Sequence, residues 1–480
     1  MENLCKLSGT ELARLIREGE ATSVEIVEAH IRQIQKVNPT LNAVVADRFE
    51  QARQEAQAAD AKLSEAKKKD DLPPFLGVPC SIKECFAFAG MPNTAGIVAR
   101  RGIVPDQDAT AVARIRAAGA IPLGVTNTSE GCMWMESSNY VYGRTNNPYN
   151  PAHIVGGSSG GEGAIIAAGG SPFGLGSDIG GSIRMPAFFN GVFGHKASGG
   201  LVPNTGQYPI AAGPALRYLT TGPLARRAED IWPLLQLLKG PDGLDEGCQE
   251  IALGDPAQVD FSRLKVLVVK GNGVVRVAAD MLEAQARAAE ALAKRGATVS
   301  EGTFTAFKKS RDIWTALLNE SGSEPFKETI GRDGPISAGR EFFKWVVRAS
   351  NHTLPAIVLA ALENLPAMMP ARYRRFAEMG RELKQEMNQR LGEDGLLLYP
   401  SYPTAAPRHH KPIFPPFNWV YTAILNVLEI PVTQTPLGLN AAGLPLGVQV
   451  GAAHGNDHLT VAAALALQED LGGWVPPRQW

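Results

Sequence analysis

Serines set among glycines, and one lysine in apolar surroundings, carry the chemistry this sequence offers. Residues 153–200, HIVGGSSGGEGAIIAAGGSPFGLGSDIGGSIRMPAFFNGVFGHKASGG, hold Ser158, Ser159 and Ser182. In SDIGGS the consecutive amides of Ile179, Gly180, Gly181 and Ser182 stand just ahead of an expected helix start, and glycines allow several N–H groups to converge on one oxygen. That geometry suits the oxyanion of acyl transfer, with Ser182 as the attacking hydroxyl. An attacking hydroxyl must give up its proton, yet the nearest histidine in sequence, His195, stands thirteen positions away. His195 reads as a structural residue.

The same stretch admits other readings. A flexible linker is opposed by the apolar runs AIIAA and MPAFF, which want burial. A phosphate loop would need GxxxxGK[ST], which is missing here. A nucleophile elbow fits GxSxG at 156–160 or 157–161 and offers Ser158 or Ser159, but the strand it requires is replaced by the loop-like NNPYNPAHIVGG. A fourth reading divides the labour: Ser159 and Glu162 form S-x-x-E, a capping box ahead of GAIIAA, and Ser158 is left free.

With no histidine singled out, lysine is the next base to consider. Lys83 lies in FLGVPCSIKECFAFAGMPNTAG (75–96), an apolar, strand-like run where a lysine is costly unless paired or neutral. Two readings stay open: a buried base, or a side chain that snorkels to the surface or pairs with Glu84. Spacing alone does not place Lys83 beside Ser182.

The elements that must position these groups alternate between helix and strand. Thr22 and Glu25 form a capping box before a helix whose Val24, Val27, Ile31 and Ile34 share a face, and the first sixty residues read as helical. DATAVARIRAAGAIPLGVTN (108–127) reads as a helix closed by Gly119 and then a strand, and residues 280–302 repeat the pattern with Gly296. RLKVLVVKGN (263–272) is a strand preceded by the polar stretch 239–258, a surface insertion more than a boundary. Residues 305–395 read as a helical layer, in which LPAIVLAALENLPAMMP (354–370) is a buried helix, with a substrate-channel wall or a membrane-touching patch as the alternatives, and is too interrupted to span a membrane. Residues 430–468 end in two short strands around a glycine-rich turn and a capped helix. The class is α/β.

Composition narrows the function. Lys and Arg number 47 against 48 Asp and Glu, so a net charge of −1 gives no general attraction for nucleic acid. Five scattered cysteines suggest neither a disulfide framework nor a zinc site and fit a reducing, cytoplasmic setting. The N-terminal residues show neither a basic segment followed by an apolar run nor an anchor.

GGSSGGEGAIIAAGGSPFGLGSDIGGSIRMPAFFNGVFGHK resembles the signature of the Ser-Ser-Lys amidohydrolases, the amidase signature family. The likeness extends to GVPCSIKECF, to GAIPLGVTNTSEGCMWMESSNYVYGRTNNPYN and to PVTQTPLGLNAAGLPLGVQV, nearly the whole chain. Within the family it is most similar to the type 2 fatty-acid amide hydrolase branch, through MPAFFNGVFGHK and LYPSYPTAAPRHHKP. The resemblance implies one domain over 1–480: a helical segment 1–70, a signature core 75–235, a helical and pocket-forming layer 260–400 and the rest of the core 400–480. It implies a large mixed, twisted sheet with helices on both faces. It also implies Ser182 as nucleophile, Ser158 as bridge and Lys83 as base, with the amides of Ile179, Gly180, Gly181 and Ser182 around the oxyanion.

Cys132 then lines the acyl site, and the Gly157–Ser158 peptide is expected to be cis. The implied activity is hydrolysis of linear amides, with esters, anilides and carbamates open to the same chemistry. No cofactor or metal is called for, and the partners are a small-molecule amide and, as oligomer, a homodimer. Two alternatives stand beside it: the catalytic component of a glutamine-dependent amidotransferase, which shares the signature, and a non-catalytic binding protein on the same scaffold.

Overall fold

A computed structural model describes residues 4–331, 334–363, 365–414 and 416–478. Its strands are β1 (Val44–Asp47), β2 (Pro79–Lys83), β3 (Ile121–Thr126), β4 (Ser138–Asn139), β5 (Gly143–Arg144), β6 (Phe173–Asp178), β7 (Phe193–Lys196), β8 (Thr220–Ala225), β9 (Lys265–Val268), β10 (Thr298–Glu301), β11 (Gly395–Tyr399), β12 (Val432–Leu439) and β13 (Pro445–Ala452). Eleven form one sheet in the order β1-β3-β2-β6-β8-β7-β12-β13-β11-β9-β10, and β4 and β5 make a separate ribbon. The sheet is mixed: β2 runs parallel to β3 and β6, and β9 parallel to β10 and β11, while β6, β8, β7, β12 and β13 pair antiparallel. Both faces are covered. Along β8, Leu224 packs with Ile183 and Val192 on one side, and Ala225 with Ile231 and Leu235 on the other.

β1 corrects the expectation of an all-helical N-terminal segment. Its four residues pair antiparallel with β3 between two helices, Ser23–Leu41 and Phe49–Glu65. A strand that short carries too few residues for a period-two pattern to register. The Thr22–Glu25 capping box is present, and Val27, Ile31 and Ile34 are buried. The helix Asp457–Leu471 departs from expectation at its start: Asn456 occupies the cap position without a side-chain bond to the helix, and its amide donates to the carbonyls of Gly392 and Glu393.

The helical layer is less buried than its sequence suggests. In Leu354–Leu362 only Ala356, Ile357 and Ala360 are buried, while Val358 and Leu362 are exposed, and Asn364 lies outside the described residues. In the helix Ala338–Val346, Phe343 is 75% exposed and Phe342 stacks on Trp345 instead of on the core. No helix of the described residues is long and apolar enough to cross a membrane.

Candidate active site

Parallel strands deliver side chains to a common end, and here that end is polar. β2 sits between β3 and β6, with Ser81 opposite Gly174 and Ile82 opposite Leu175, so Lys83 and Ser177 emerge side by side at the carboxyl ends of β2 and β6. Lys83 is fully buried and neither snorkels nor pairs with Glu84. Its Nζ lies 2.6 Å from Ser158 Oγ and 2.9 Å from Ser177 Oγ. Glu84 turns the other way and accepts from the Thr94 and Ala95 amides, the Thr94 hydroxyl and the Tyr142 hydroxyl; burial pushes its carboxyl up to about 7.

Ser158 reaches Lys83 from the turn that starts the helix Gly160–Ala167, through a cis Gly157–Ser158 peptide. Ser137 Oγ anchors that turn at 3.1 Å from the Gly156 carbonyl and 3.0 Å from the Ser158 carbonyl. The capping box expected here is absent. Ser159 stands at the cap position, but its side chain makes no cap hydrogen bond. Glu162 points into the sheet and accepts from Ser81 Oγ at 2.6 Å and Thr126 Oγ1 at 2.8 Å, and burial raises its carboxyl to about 8. The reason is the lining of the helix: every residue of Gly160–Ala167 is buried, and the two strand hydroxyls are the donors within reach of a carboxylate there.

Ser182 lies beyond the end of β6, next to the Ser158 turn, because its carbonyl accepts the Ser159 amide at 3.1 Å. The loop carrying it is organised by Asp178. That buried carboxylate accepts from the amides of Gly181 (2.7 Å), Ile183 (3.1 Å) and Arg184 (3.3 Å), and from Arg184 Nε and Nη2, both at 3.0 Å. Burial alone would raise the Asp178 carboxyl, but the Arg184 guanidinium beside it holds it well below the usual carboxylate range. Arg184 is itself fully buried and spends its remaining donors on the Thr422 carbonyl, Gln449 and Asn426.

Two clamps set the loop's peptide planes. Trp314 Nε1 donates to the Ile179 carbonyl at 2.9 Å, and Thr422 Oγ1 shares its proton between the carbonyls of Gly180 (2.8 Å) and Trp419 (2.9 Å). In a trans peptide the N–H points opposite the carbonyl, so the amides of Gly180 and Gly181 face away from these clamps. The Gly181 amide goes to Asp178; those of Ile179, Gly180 and Ser182 have no protein acceptor among the described residues. Gly181 holds φ +116°, and a Cβ there would collide with the Thr422 side chain, so glycine is required.

Cys132, at the close of the turn Glu130–Cys132, is partly buried, with its Sγ 3.3 Å from Thr128 Oγ1. His195 makes its side-chain hydrogen bonds away from Lys83, Ser158 and Ser182. Its ring bridges Thr433 Oγ1 at 2.9 Å and Asp457 Oδ1 at 3.1 Å inside the core. Trp314, which holds the Ile179 carbonyl, packs edge to face on Trp419.

Residues 25–461 match the family model for amidases. The chain belongs to the amidase family. This amidase is 46% identical to fatty-acid amide hydrolase 2 of Homo sapiens, over 99% of its own length and 91% of the relative's. It is 47% identical to fatty-acid amide hydrolase 2-A of Danio rerio, over 99% of the chain and 90% of the relative. Among solved structures, 6-aminohexanoate cyclic dimer hydrolase with its substrate superposes with a TM-score of 0.80 at 28% identity, covering 99% of each chain. The amidase is thus an amide-hydrolysing enzyme with a large mixed α/β sheet.

Sequence reading singled out Lys83, Ser158 and Ser182 but passed over Ser177, Asp178, Arg184, Trp314 and Thr422. Asp178 and Arg184 carried a usable signal, an acid and a base six positions apart inside an otherwise apolar stretch. Ser177, Trp314 and Thr422 matter through strand register and long-range contact and leave no local pattern.

Proposed function

We propose that this amidase cleaves linear carboxylic amides through an acyl-enzyme on Ser182, with Ser158 and Lys83 as the proton relay. The observation that carries the reading is the buried hydrogen bond of 2.6 Å between Lys83 Nζ and Ser158 Oγ. The amine acts in its neutral form: it takes the Ser158 proton as Ser158 takes that of Ser182, and the Ser182 oxygen attacks the carbonyl carbon. The amides of Ile179, Gly180 and Ser182 supply donors to the oxyanion, and Gly181 contributes by fixing the loop through Asp178. Returning the proton through Ser158 to the leaving nitrogen expels the amine. Water then repeats the relay on the ester and frees the acid. Because the base is a neutral amine, kcat/KM rises with pH.

The apolar surroundings of the loop and the 46% identity to fatty-acid amide hydrolase 2 favour an amide with an apolar acyl chain. The decisive experiment compares wild type with Ser182→Ala, Ser158→Ala and Lys83→Ala, using a fluorophosphonate probe, fatty amides of several chain lengths and L-glutamine. Loss of labelling in Ser182→Ala, with amide turnover down by about 10²–10⁴-fold in the relay variants, is the expected result. Labelling that persists in Ser182→Ala and disappears in Ser158→Ala overturns the assignment in favour of an elbow nucleophile. Turnover of glutamine with none of fatty amides overturns the substrate class, and a kcat/KM flat from about pH 5 to 10 overturns the amine base.

A further inference from the structure

Lys83 and Ser158 belong to different layers: the lysine stands on β2 in the sheet, and the serine on the turn that starts the helix Gly160–Ala167 packed over it. A bond of 2.6 Å between them requires the two layers to be held in one relative position. Glu162, in the first turn of that helix, is fully buried and has no part in the proton transfers. Its Oε2 accepts from Ser81 Oγ at 2.6 Å and its Oε1 from Thr126 Oγ1 at 2.8 Å. Ser81 precedes Lys83 by two residues, on the same face of β2, and Thr126 is the β3 residue paired with Lys83. One carboxyl thus grips both strands at the position of the lysine. Among the described residues, no other side-chain hydrogen bond joins that helix to β2. The third strand makes room for the grip: Gly174 of β6 lies opposite Ser81, and a Cβ there would collide with the Glu162 carboxyl and the Ser81 hydroxyl.

We propose that Glu162 is a positioning residue for the proton relay, a role that rests on the relay proposed above: its carboxyl ties the helix that follows Ser158 to the strands around Lys83, and so sets the distance between Lys83 Nζ and Ser158 Oγ. Glu162 acts on turnover through these two side chains and does not itself meet the substrate.

The tie suits a base that works as a neutral amine. Burial raises the Glu162 carboxyl to about 8, so at neutral pH it keeps its proton and sets no negative charge near Lys83 that would favour the ammonium. A protonated carboxyl donates one hydrogen bond and accepts the other. Ser81 goes on donating to Oε2, while Thr126 takes the carboxyl proton and turns its own toward the Ile82 carbonyl, 3.4 Å away. Glutamine reproduces that pattern, its amide oxygen on Ser81 and its amide N–H on Thr126. Alanine leaves both hydroxyls without their partner.

The test is steady-state kinetics on the fatty amide that wild type turns over fastest, with each variant checked for folding by near-ultraviolet dichroism. Glu162→Ala is expected to lower kcat by about 10–100-fold with little change in KM, because a displaced relay slows proton transfer without touching the substrate. Glu162→Gln returns kcat to within about threefold of wild type, since it restores both bonds. Ser81→Ala cuts the tie at β2, leaves the helix as it is and lowers kcat in the same sense; it carries the comparison if Glu162→Ala does not fold. In a Lys83→Ala background Glu162→Ala costs nothing further, because the group it positions is gone, whereas a general loss of structure multiplies the two effects. Full multiplication overturns the inference, as does a Glu162→Gln enzyme no faster than Glu162→Ala. Wild-type kcat in Glu162→Ala and Ser81→Ala beside a slow Lys83→Ala overturns it and leaves the relay standing. Undiminished turnover in Lys83→Ala overturns the relay, and the role of Glu162 with it.

Discussion

Asp178 and Arg184 form the fully buried ion pair on which the serine loop is built, and neither touches the position of the reacting carbonyl in the proposed mechanism. Removing one partner leaves the other charge buried without compensation. Arg184→Met is therefore expected to lower unfolding free energy by about 3–5 kcal/mol, read from the urea midpoint. The acid response has a definite sign. Asp178 is held below the carboxylate range in the folded state, so its contribution is fully present above the unfolded value of about 3.9 and is lost as pH falls below that. Asp178→Asn removes that loss, and equal acid midpoints for the variant and wild type would count against it. Legibility at this scale followed chemistry. Lys83 and the serines drew attention because a base in an apolar run and a hydroxyl behind two glycines are expensive or unusual. Ser177 escaped because serine at a strand end is common, and only the register of β2 on β6 gives it Lys83 as a neighbour.

The elements were legible where the pattern was long and failed where it was short or where contact outweighed propensity. The helix Ser23–Leu41, with its capping box and apolar face, follows from nineteen residues of periodic sequence; β1, with four, does not. The S-x-x-E at Ser159–Glu162 had the right spacing for a capping box, but Glu162 serves Ser81 and Thr126 because its helix is buried on every side. His30, within Ser23–Leu41, gives this scale its own measurement. It is fully buried, with Nδ1 2.9 Å from the Ile26 carbonyl, and burial pushes it down to about 3. As pH falls below about 6.5 the unfolded chain takes up a proton that the folded chain refuses until near pH 3, so stability declines by up to about 1.4 kcal/mol per pH unit. His30→Leu is expected to lose less stability than wild type between pH 7 and 5, measured by urea unfolding at both; parallel losses would reject the assignment.

At the scale of the molecule, strands β1–β8 occupy one side of the large sheet and β9–β13 the other, apart from the separate ribbon, and the β7–β12 pairing joins them. One apolar cluster crosses that joint, bringing Met185 and Phe188 together with Leu425 and Val448. Asp230 ties the N-terminal helix down from far along the chain, accepting from the Gly9 and Thr10 amides at 2.8 Å each. We infer from these ties that the chain unfolds as one domain, so that near- and far-ultraviolet dichroism follow a single coincident transition in urea. Separate transitions for the two sides of the sheet would contradict this. The alternation of helix and strand announced an α/β protein, but the sheet order is set by contacts between segments separated in the chain, farthest for β7 with β12, and local sequence is silent on them.

Asp178 lends the serine loop a property that reaches beyond stability. Its carboxylate fixes the directions of the loop's peptide dipoles through bonds made when the chain folds, with Trp314 and Thr422 locking the neighbouring planes. In the mechanism proposed above, negative charge that develops beside Ser182 therefore meets donors already aligned, and nothing in the loop has to turn toward it while the bond is breaking. On that proposal the work of alignment is done once in the life of each molecule, during folding, and every turnover afterwards draws on it.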